Sequence, residues 1–208
     1  MTAKGKFIVV EGMEGAGKST VIHTIREFLL SKIESVILTR EPGGTRIGEK
    51  IREIIKENYP GETLASRSEL LLMYAARVQL LEELILPALN KGSWVIADRF
   101  ELSSFAYQGG GRGVNAVFLN QLSAFCLDNF QADLTFFLDI SPENGLARTR
   151  GRGEADRIER ESIDFFNRVY GAYHQKISSM DNVVIIDAEQ PLEDVQQQVL
   201  SQLNSFLN

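Results

Sequence analysis

A glycine-rich run that closes on a lysine and a serine limits the possible folds of this chain more than any other feature. The segment Glu11-Gly12-Met13-Glu14-Gly15-Ala16-Gly17-Lys18-Ser19-Thr20 spells G-x-x-x-x-G-K-[ST] from Gly12 to Ser19. An apolar stretch at 7–10 precedes it and a helical pattern at 18–31 follows it. Strand, glycine loop and helix in that order form a cradle for phosphate. Glycines let the backbone N–H groups of Gly12, Met13, Glu14, Gly15, Ala16 and Gly17 turn inward around an anion, where side chains would clash. The helix N-terminus near Lys18 adds partial positive charge. In such loops the lysine reaches the β- and γ-phosphates and the following hydroxyl ligates Mg²⁺, which assigns those parts to Lys18 and Ser19, with Thr20 beside them. The loop predicts an ATP site and a phosphotransferase.

The rest of the chain fits that frame. Short apolar runs at 7–10, 36–39, 94–97, 134–139 and 183–187 are β-branched or aromatic and too short for helices. They are apolar throughout rather than alternating, as expected of strands buried on both faces of a parallel sheet. Amphipathic stretches at 18–31, 48–58, 66–90, 115–130, 142–150, 162–178 and 192–207 separate them. This alternation predicts an α/β fold, a five-stranded parallel sheet flanked by helices, in which ligands sit beyond the carboxyl ends of the strands. A length of 208 residues suits a single domain over 1–208 with a small mobile insertion.

Composition excludes several other classes. A net charge of −6 argues against a nucleic-acid backbone as partner. One cysteine, Cys126, rules out an internal disulfide, and its place in an apolar helical pattern reads as core. The apolar run at 7–10 is far too short for a membrane span, and no signal core follows the first lysines, so the expected location is cytoplasmic. The two histidines, His23 and His174, have no cysteine or carboxylate at metal-ligand spacing and read as ordinary helix residues.

The residues after each strand separate the remaining phosphate-binding classes. The only Asn-Lys, Asn90-Lys91-Gly92-Ser93, lacks the aspartate of a guanine-reading motif. The third strand ends in Asp98-Arg99-Phe100. Asp98 there can orient Mg²⁺ or its waters, and Arg99 can grip a phosphate at the same sheet edge. Met73 and Arg77 lie four apart on one helix face, offering an apolar surface with a donor fork above it. Alternatively Met73 is plain core filler and Arg77 forms a surface ion pair with a neighbour such as Glu69. Gly109-Gly110-Gly111-Arg112-Gly113 reads either as a flexible connector or as a ligand-shaped loop.

Several segments together resemble the bacterial thymidylate kinases: Thr39-Arg40-Glu41-Pro42-Gly43-Gly44-Thr45, Tyr74-Ala75-Ala76-Arg77, Asp98-Arg99-Phe100, Tyr107-Gln108-Gly109-Gly110-Gly111-Arg112, Gly151-Arg152-Gly153-Glu154 and Asp156-Arg157-Ile158-Glu159. The resemblance runs in order through nearly the whole chain. It implies the P-loop nucleoside monophosphate kinase fold, transfer of the ATP γ-phosphate to dTMP with Mg²⁺, and a homodimer to which the helix at 66–90 could contribute. It places Glu41, Pro42, Arg52, Met73, Arg77, Ser103, Ser104, Tyr107 and Gln108 around the acceptor. Tyr107 then packs where a ribose 2′-hydroxyl would need room. Family members carry a proline at Pro42, sometimes after a cis bond, and usually a phenylalanine where Met73 stands.

The same resemblance turns Arg148-Thr149-Arg150-Gly151-Arg152-Gly153 into part of a lid over about 148–160. Arg152 is then the residue brought to the transferring phosphoryl group, with Arg148 beside adenine and the lid-end acids Asp156 and Glu159 on the acceptor side. Some thymidylate kinases carry a basic residue directly after the acid of the glycine loop. Here Gly15 follows Glu14, and the pattern supplies the missing charge from the lid. The readings left open are a kinase for another nucleoside monophosphate and a nucleotide-binding regulator without turnover.

Overall fold

The computed structural model describes residues 4–149 and 156–207. β1 (Phe7–Gly12) is buried along its whole length, which marks the centre of a sheet covered on both faces. Around it lie β2 (Val36–Arg40), β3 (Trp94–Asp98), β4 (Leu134–Asp139) and β5 (Val183–Asp187), in the order β2-β3-β1-β4-β5. Every pairing is parallel, so the expected sheet is present. Along β1, Ile8 and Val10 enter one core cluster while Phe7 and Val9 enter another, the period-two alternation of a central strand. Register aligns Val10 with Asp98 and Gly12 with Leu138, so the glycine loop leaves the sheet beside the end of β3.

On the first face pack α1 (Lys18–Leu30), through Val21, Ile25 and Leu29, and α9 (Leu192–Leu207), through Val195, Val199 and Leu203. The other helices are α2 (Arg46–Lys56), α3 (Ser66–Leu80), α4 (Leu86–Asn90), α5 (Glu101–Ser104), α6 (Ala116–Leu127), α7 (Pro142–Thr149) and α8 (Ile163–Ile177). The N-cap residue's own side chain closes α2, α6 and α8. Thr45 accepts from Gly48 N, Asn115 from Val117 N, and Ser162 from Phe165 N. α1 has no side-chain cap; its N-cap Gly17 stands at φ 88°. Its first N–H groups are thereby left for a ligand. Among the described residues no helix is long and apolar enough to cross a membrane.

Two segments differ from the sequence reading. The helix expected over 66–90 is interrupted by a π-helical turn at Leu81–Ile85, just before Pro87 at the start of α4. Proline has no N–H for the ladder and its ring crowds the preceding turn, which a widened turn accommodates. The second difference concerns the glycines at 109–111. They are not a flexible connector, because α5 continues directly into a π-helical stretch, Phe105–Gly111. α8 lies so close that a Cβ on Gly110 would overlap Ala172 Cβ and stand 2.8 Å from the Arg168 carbonyl oxygen. The glycines permit this approach. Smaller changes occur at helix ends: α6 stops at Leu127 because Asp128 and Asn129 adopt positive φ. Cys126 is only partly buried, at the edge of two core clusters.

Gly110→Ala is expected to lower stability by about 1–3 kcal/mol through overpacking. A urea titration reads this as a lower midpoint, whereas an unchanged midpoint would contradict the close packing.

Candidate active site

The glycine loop leads from β1 into α1 and places Lys18 over its own backbone. Lys18 Nζ donates to the carbonyls of Gly12 and Met13, both at 2.9 Å. Burial, and then the charge of Arg99, push its pKa down to about 8. A phosphate in the loop would supply the negative charge that this ammonium lacks. Ser19 and Thr20 stand exposed at the mouth. Gly12, Gly15 and Gly17 all have positive φ. At Gly15 a Cβ would collide with the backbone carbonyl of Gly145 in α7, and a Cβ on Gly145 would lie 2.5 Å from Glu14 O. Loop and α7 therefore touch backbone to backbone.

Arg99 begins the chain's exit from β3 and has φ 69°, a left-handed conformation uncommon for a side-chain-bearing residue. This bend brings its guanidinium among oxygens from several elements. Nη2 donates to Glu14 Oε1 at 2.8 Å and to the Tyr107 hydroxyl at 3.3 Å. Nη1 donates to Ser103 Oγ and to the Tyr173 hydroxyl, both at 3.1 Å. Tyr107 in turn donates to Glu14 Oε2 at 2.6 Å. Burial alone would raise the Glu14 pKa, but Arg99 and then Lys18 outweigh it and hold the carboxyl below its usual range.

Beneath this layer lies Glu11, fully buried at the end of β1. It accepts from Phe100 N at 2.9 Å, Ser103 N at 3.1 Å, Ser103 Oγ at 2.6 Å and the Tyr173 hydroxyl at 3.1 Å. Glu11 thus caps the start of α5 and fixes two of the groups that hold Arg99. The sequence reading passed over Glu11 and Tyr173. A lone carboxylate inside an otherwise apolar strand was the available signal for Glu11; nothing in the sequence pointed to Tyr173.

Beside Arg99 opens a cleft of about 480 Å³, part of it open to solvent. Its lining brings together Glu14, Glu41, Pro42, Arg52, Met73, Arg99, Ser103, Tyr107 and Asp156 from the expected set, with Ile55, Lys56 and Ile158 in addition. Arg52 Nη1 donates to Pro42 O at 2.9 Å, and the Glu41-Pro42 bond is cis. Asp156 pairs with Lys56 at 2.8 Å, which ties the segment after residue 155 to the end of α2.

Arg77, Ser104 and Gln108 are buried behind the lining rather than on it. Arg77 is no surface ion pair with Glu69. Its Nε donates to Glu41 Oε2 at 2.8 Å and its Nη2 to Ser104 Oγ at 2.9 Å. Glu69 instead accepts from Gln108, Arg112 and Arg157. Glu159 accepts from Asp156 N at 3.0 Å and does not line the cleft. Arg148 donates to Ala188 O at 2.8 Å, beyond the end of β5. His23 is exposed, whereas His174 lies 3.1 Å from Asp139 Oδ1 and so has a specific partner. Arg152, with most of the expected lid, lies outside the described residues.

Asp98 Oδ1 is buried with no hydrogen-bond partner among the described residues. Among those residues no group of three or more His, Cys, Asp or Glu could hold a metal. Mg²⁺ does not require one, because it binds through one or two protein oxygens plus phosphates and waters. An unpaired carboxylate oxygen at the end of β3, with the Ser19 hydroxyl at the loop mouth, fits that demand.

Comparison with known proteins gives the chain a family. The sequence model of the family described as thymidylate kinase matches residues 10–199. The chain is 55% identical over 203 residues to a thymidylate kinase of Legionella pneumophila, covering 98% of this chain and 96% of that protein. It is 50% identical over 205 residues to a thymidylate kinase of Vibrio campbellii, covering 98% of each.

Glu41 gives the cleft a measurable signature. Burial pushes its pKa up to about 7, against the pull of Arg77. Between the ordinary value of 4.5 and about 7 the folded chain therefore holds a proton that the unfolded chain has released. The stabilisation from that proton is complete at the acid end of this window and lost at the neutral end, with a slope of at most about 1.4 kcal/mol per pH unit. The unfolding free energy of wild type minus that of Glu41→Gln should thus fall as pH rises through the window. A flat difference would mean that Arg77 keeps the carboxylate ionised throughout.

Proposed function

The chain belongs to the thymidylate kinase family, and on that premise we propose that it transfers the γ-phosphate of ATP to dTMP, giving dTDP. The carrying observation is the position of Arg99, bonded to Glu14 of the glycine loop and lining the cleft beside it. A group bridging the two sites in this way can neutralise charge on a phosphoryl group passing between them. In this reading the loop from Gly12 to Thr20 cradles the ATP phosphates, whose negative charge holds the Lys18 ammonium protonated. The cleft takes the acceptor nucleotide: Met73 covers the base, Arg52 meets its phosphate, and Tyr107 closes the sugar face. Ser19 and Asp98 hold Mg²⁺, which when bound supplies positive charge to the ATP phosphates. No nucleophilic side chain is required, since the acceptor phosphate attacks directly and catalysis rests on position and charge.

Arg152 supplies a further charge from the lid within 148–160, and Arg148 flanks the adenine. The Gly15–Gly145 contact supports the lid assignment, because it leaves no room for a basic side chain after Glu14. A second copy of the chain covers the exposed apolar residues Leu71 of α3 and Val117, Phe118 and Phe125 of α6, the last of these 86% exposed. Light scattering giving the mass of a monomer would remove that assignment.

A coupled assay of ADP release with a panel of nucleoside monophosphates tests the function. dTMP should give the highest kcat/KM, with dUMP retaining activity because a single methyl group is worth only about 1–3 kcal/mol. Turnover of dTMP no greater than that of AMP, GMP or CMP would overturn the acceptor assignment. In the same assay Arg152→Ala should lower kcat by about 100-fold or more while dTMP binding changes little.

A further inference from the structure

Glu69 is 1% exposed in α3 and no part of the cleft lining, yet three side chains converge on it. Its Oε1 accepts from Gln108 Nε2 at 2.7 Å. Its Oε2 accepts from Arg157 Nη2 at 2.6 Å and from Arg112 Nε at 3.2 Å. With two guanidinium groups on it, this carboxylate acts only as an acceptor. It therefore dictates which end of the Gln108 amide faces it, because a nitrogen can donate there and an amide oxygen cannot. Gln108 Oε1 is consequently turned away from Glu69. It is fully buried and has no hydrogen-bond partner among the described residues.

A second orphan belongs to the same packed layer. Arg77 Nη1 is buried without a partner among the described residues, while its sister nitrogen holds Ser104, one helical turn before Gln108. Leaving a buried acceptor and a buried donor unpaired is unfavourable, so a ligand that satisfies both is favoured. Met73 and Tyr107 line the cleft, and the two orphans stand on the same elements, one turn after Met73 and directly after Tyr107. A thymine or uracil ring carries a carbonyl acceptor beside an N–H donor on its pairing edge. Cytosine carries the reverse, an amino donor beside a bare ring nitrogen.

We propose that Glu69 is a specificity-determining positioning residue: it locks the Gln108 amide with its oxygen free, so that the acceptor base must present an N–H. The assignment rests on the dTMP-kinase reading above and adds to it the reason for rejecting cytosine. Neither Arg112 nor Arg157 provides this orientation, since each only donates to the same carboxylate.

The test measures kcat/KM for dTMP, dUMP and dCMP in wild type, Glu69→Gln, Arg157→Gln and Gln108→Met, with thermal unfolding as the control for folding. A glutamine at 69 can donate or accept, so the Gln108 amide is free to turn over. In Glu69→Gln the dTMP-to-dCMP ratio should narrow by at least about tenfold. The dTMP-to-dUMP ratio, which reads the methyl group, should stay within about twofold. Arg157→Gln leaves the Glu69–Gln108 bond in place and should keep the dTMP-to-dCMP ratio. A folded Glu69→Gln with an unchanged ratio overturns the proposal, as does an equal narrowing in Arg157→Gln. Should Glu69→Gln fail to fold, Gln108→Met decides: a collapsed ratio supports the role of the free oxygen, and an unchanged ratio overturns it. Wild type that does not phosphorylate dTMP would overturn the functional reading together with this one, whereas the variant outcomes bear on Glu69 alone.

Discussion

The guanidinium of Arg99 is the point at which the sheet, the glycine loop and the acceptor cleft meet. Four side-chain oxygens hold it: Glu14 from the loop, Ser103 from α5, Tyr107 from the π-helical stretch and Tyr173 from α8. A planar fork with five N–H donors can satisfy such a set from one fixed position, and a point charge cannot. The arrangement is costly to build. Arg99 takes a left-handed backbone conformation, and it and Glu14 are both largely withdrawn from water, with side chains 16% exposed. A buried pair of this kind contributes little net stability, because desolvation offsets most of the attraction. Its consequence is geometric: the charge stands ready between the glycine loop and the cleft, so in the proposed transfer little reorganisation would be left for the reaction itself. Glu11 makes that possible by pinning Ser103 and Tyr173 from below.

A second constraint comes from the absence of side chains. Gly15 in the loop and Gly145 in α7 meet backbone to backbone, and a Cβ on either would collide with the other segment. α7 is thereby placed against the glycine loop, and the same contact denies the loop a basic residue after Glu14. The arginine-rich composition of 148–152 complements that denial. In the proposed reaction the loop and the lid would divide one electrostatic task, with steric contact deciding which of them carries the charge.

Much of this was legible in the sequence because it depends on local rules. The glycine loop follows from motif and context, and the five strands follow from runs of β-branched and aromatic residues. The cleft residues Glu41, Pro42, Arg52, Met73, Tyr107 and Asp156 were named from their likeness to a family, and they converge on one pocket. What stayed hidden depends on partners distant in sequence. Glycines at 109–111 suggest flexibility until α8 is seen packed against them. Arg77 and Glu69 share a helix face, yet each finds a partner elsewhere, Arg77 on Glu41 and Glu69 on Arg112, Arg157 and Gln108. Tyr173 is invisible as a site residue because nothing in α8 marks the end of the side chain that reaches Arg99.

In the proposed transfer Arg99 works as a preorganised fork rather than as a positive charge alone. Single-turnover phosphoryl transfer from ATP to dTMP by Arg99→Lys, with thermal unfolding in parallel, separates the two. Lysine keeps the charge and loses the fork, so the expected outcome is a folded variant whose transfer rate falls by about 100-fold or more. A transfer rate within a few-fold of wild type would contradict it.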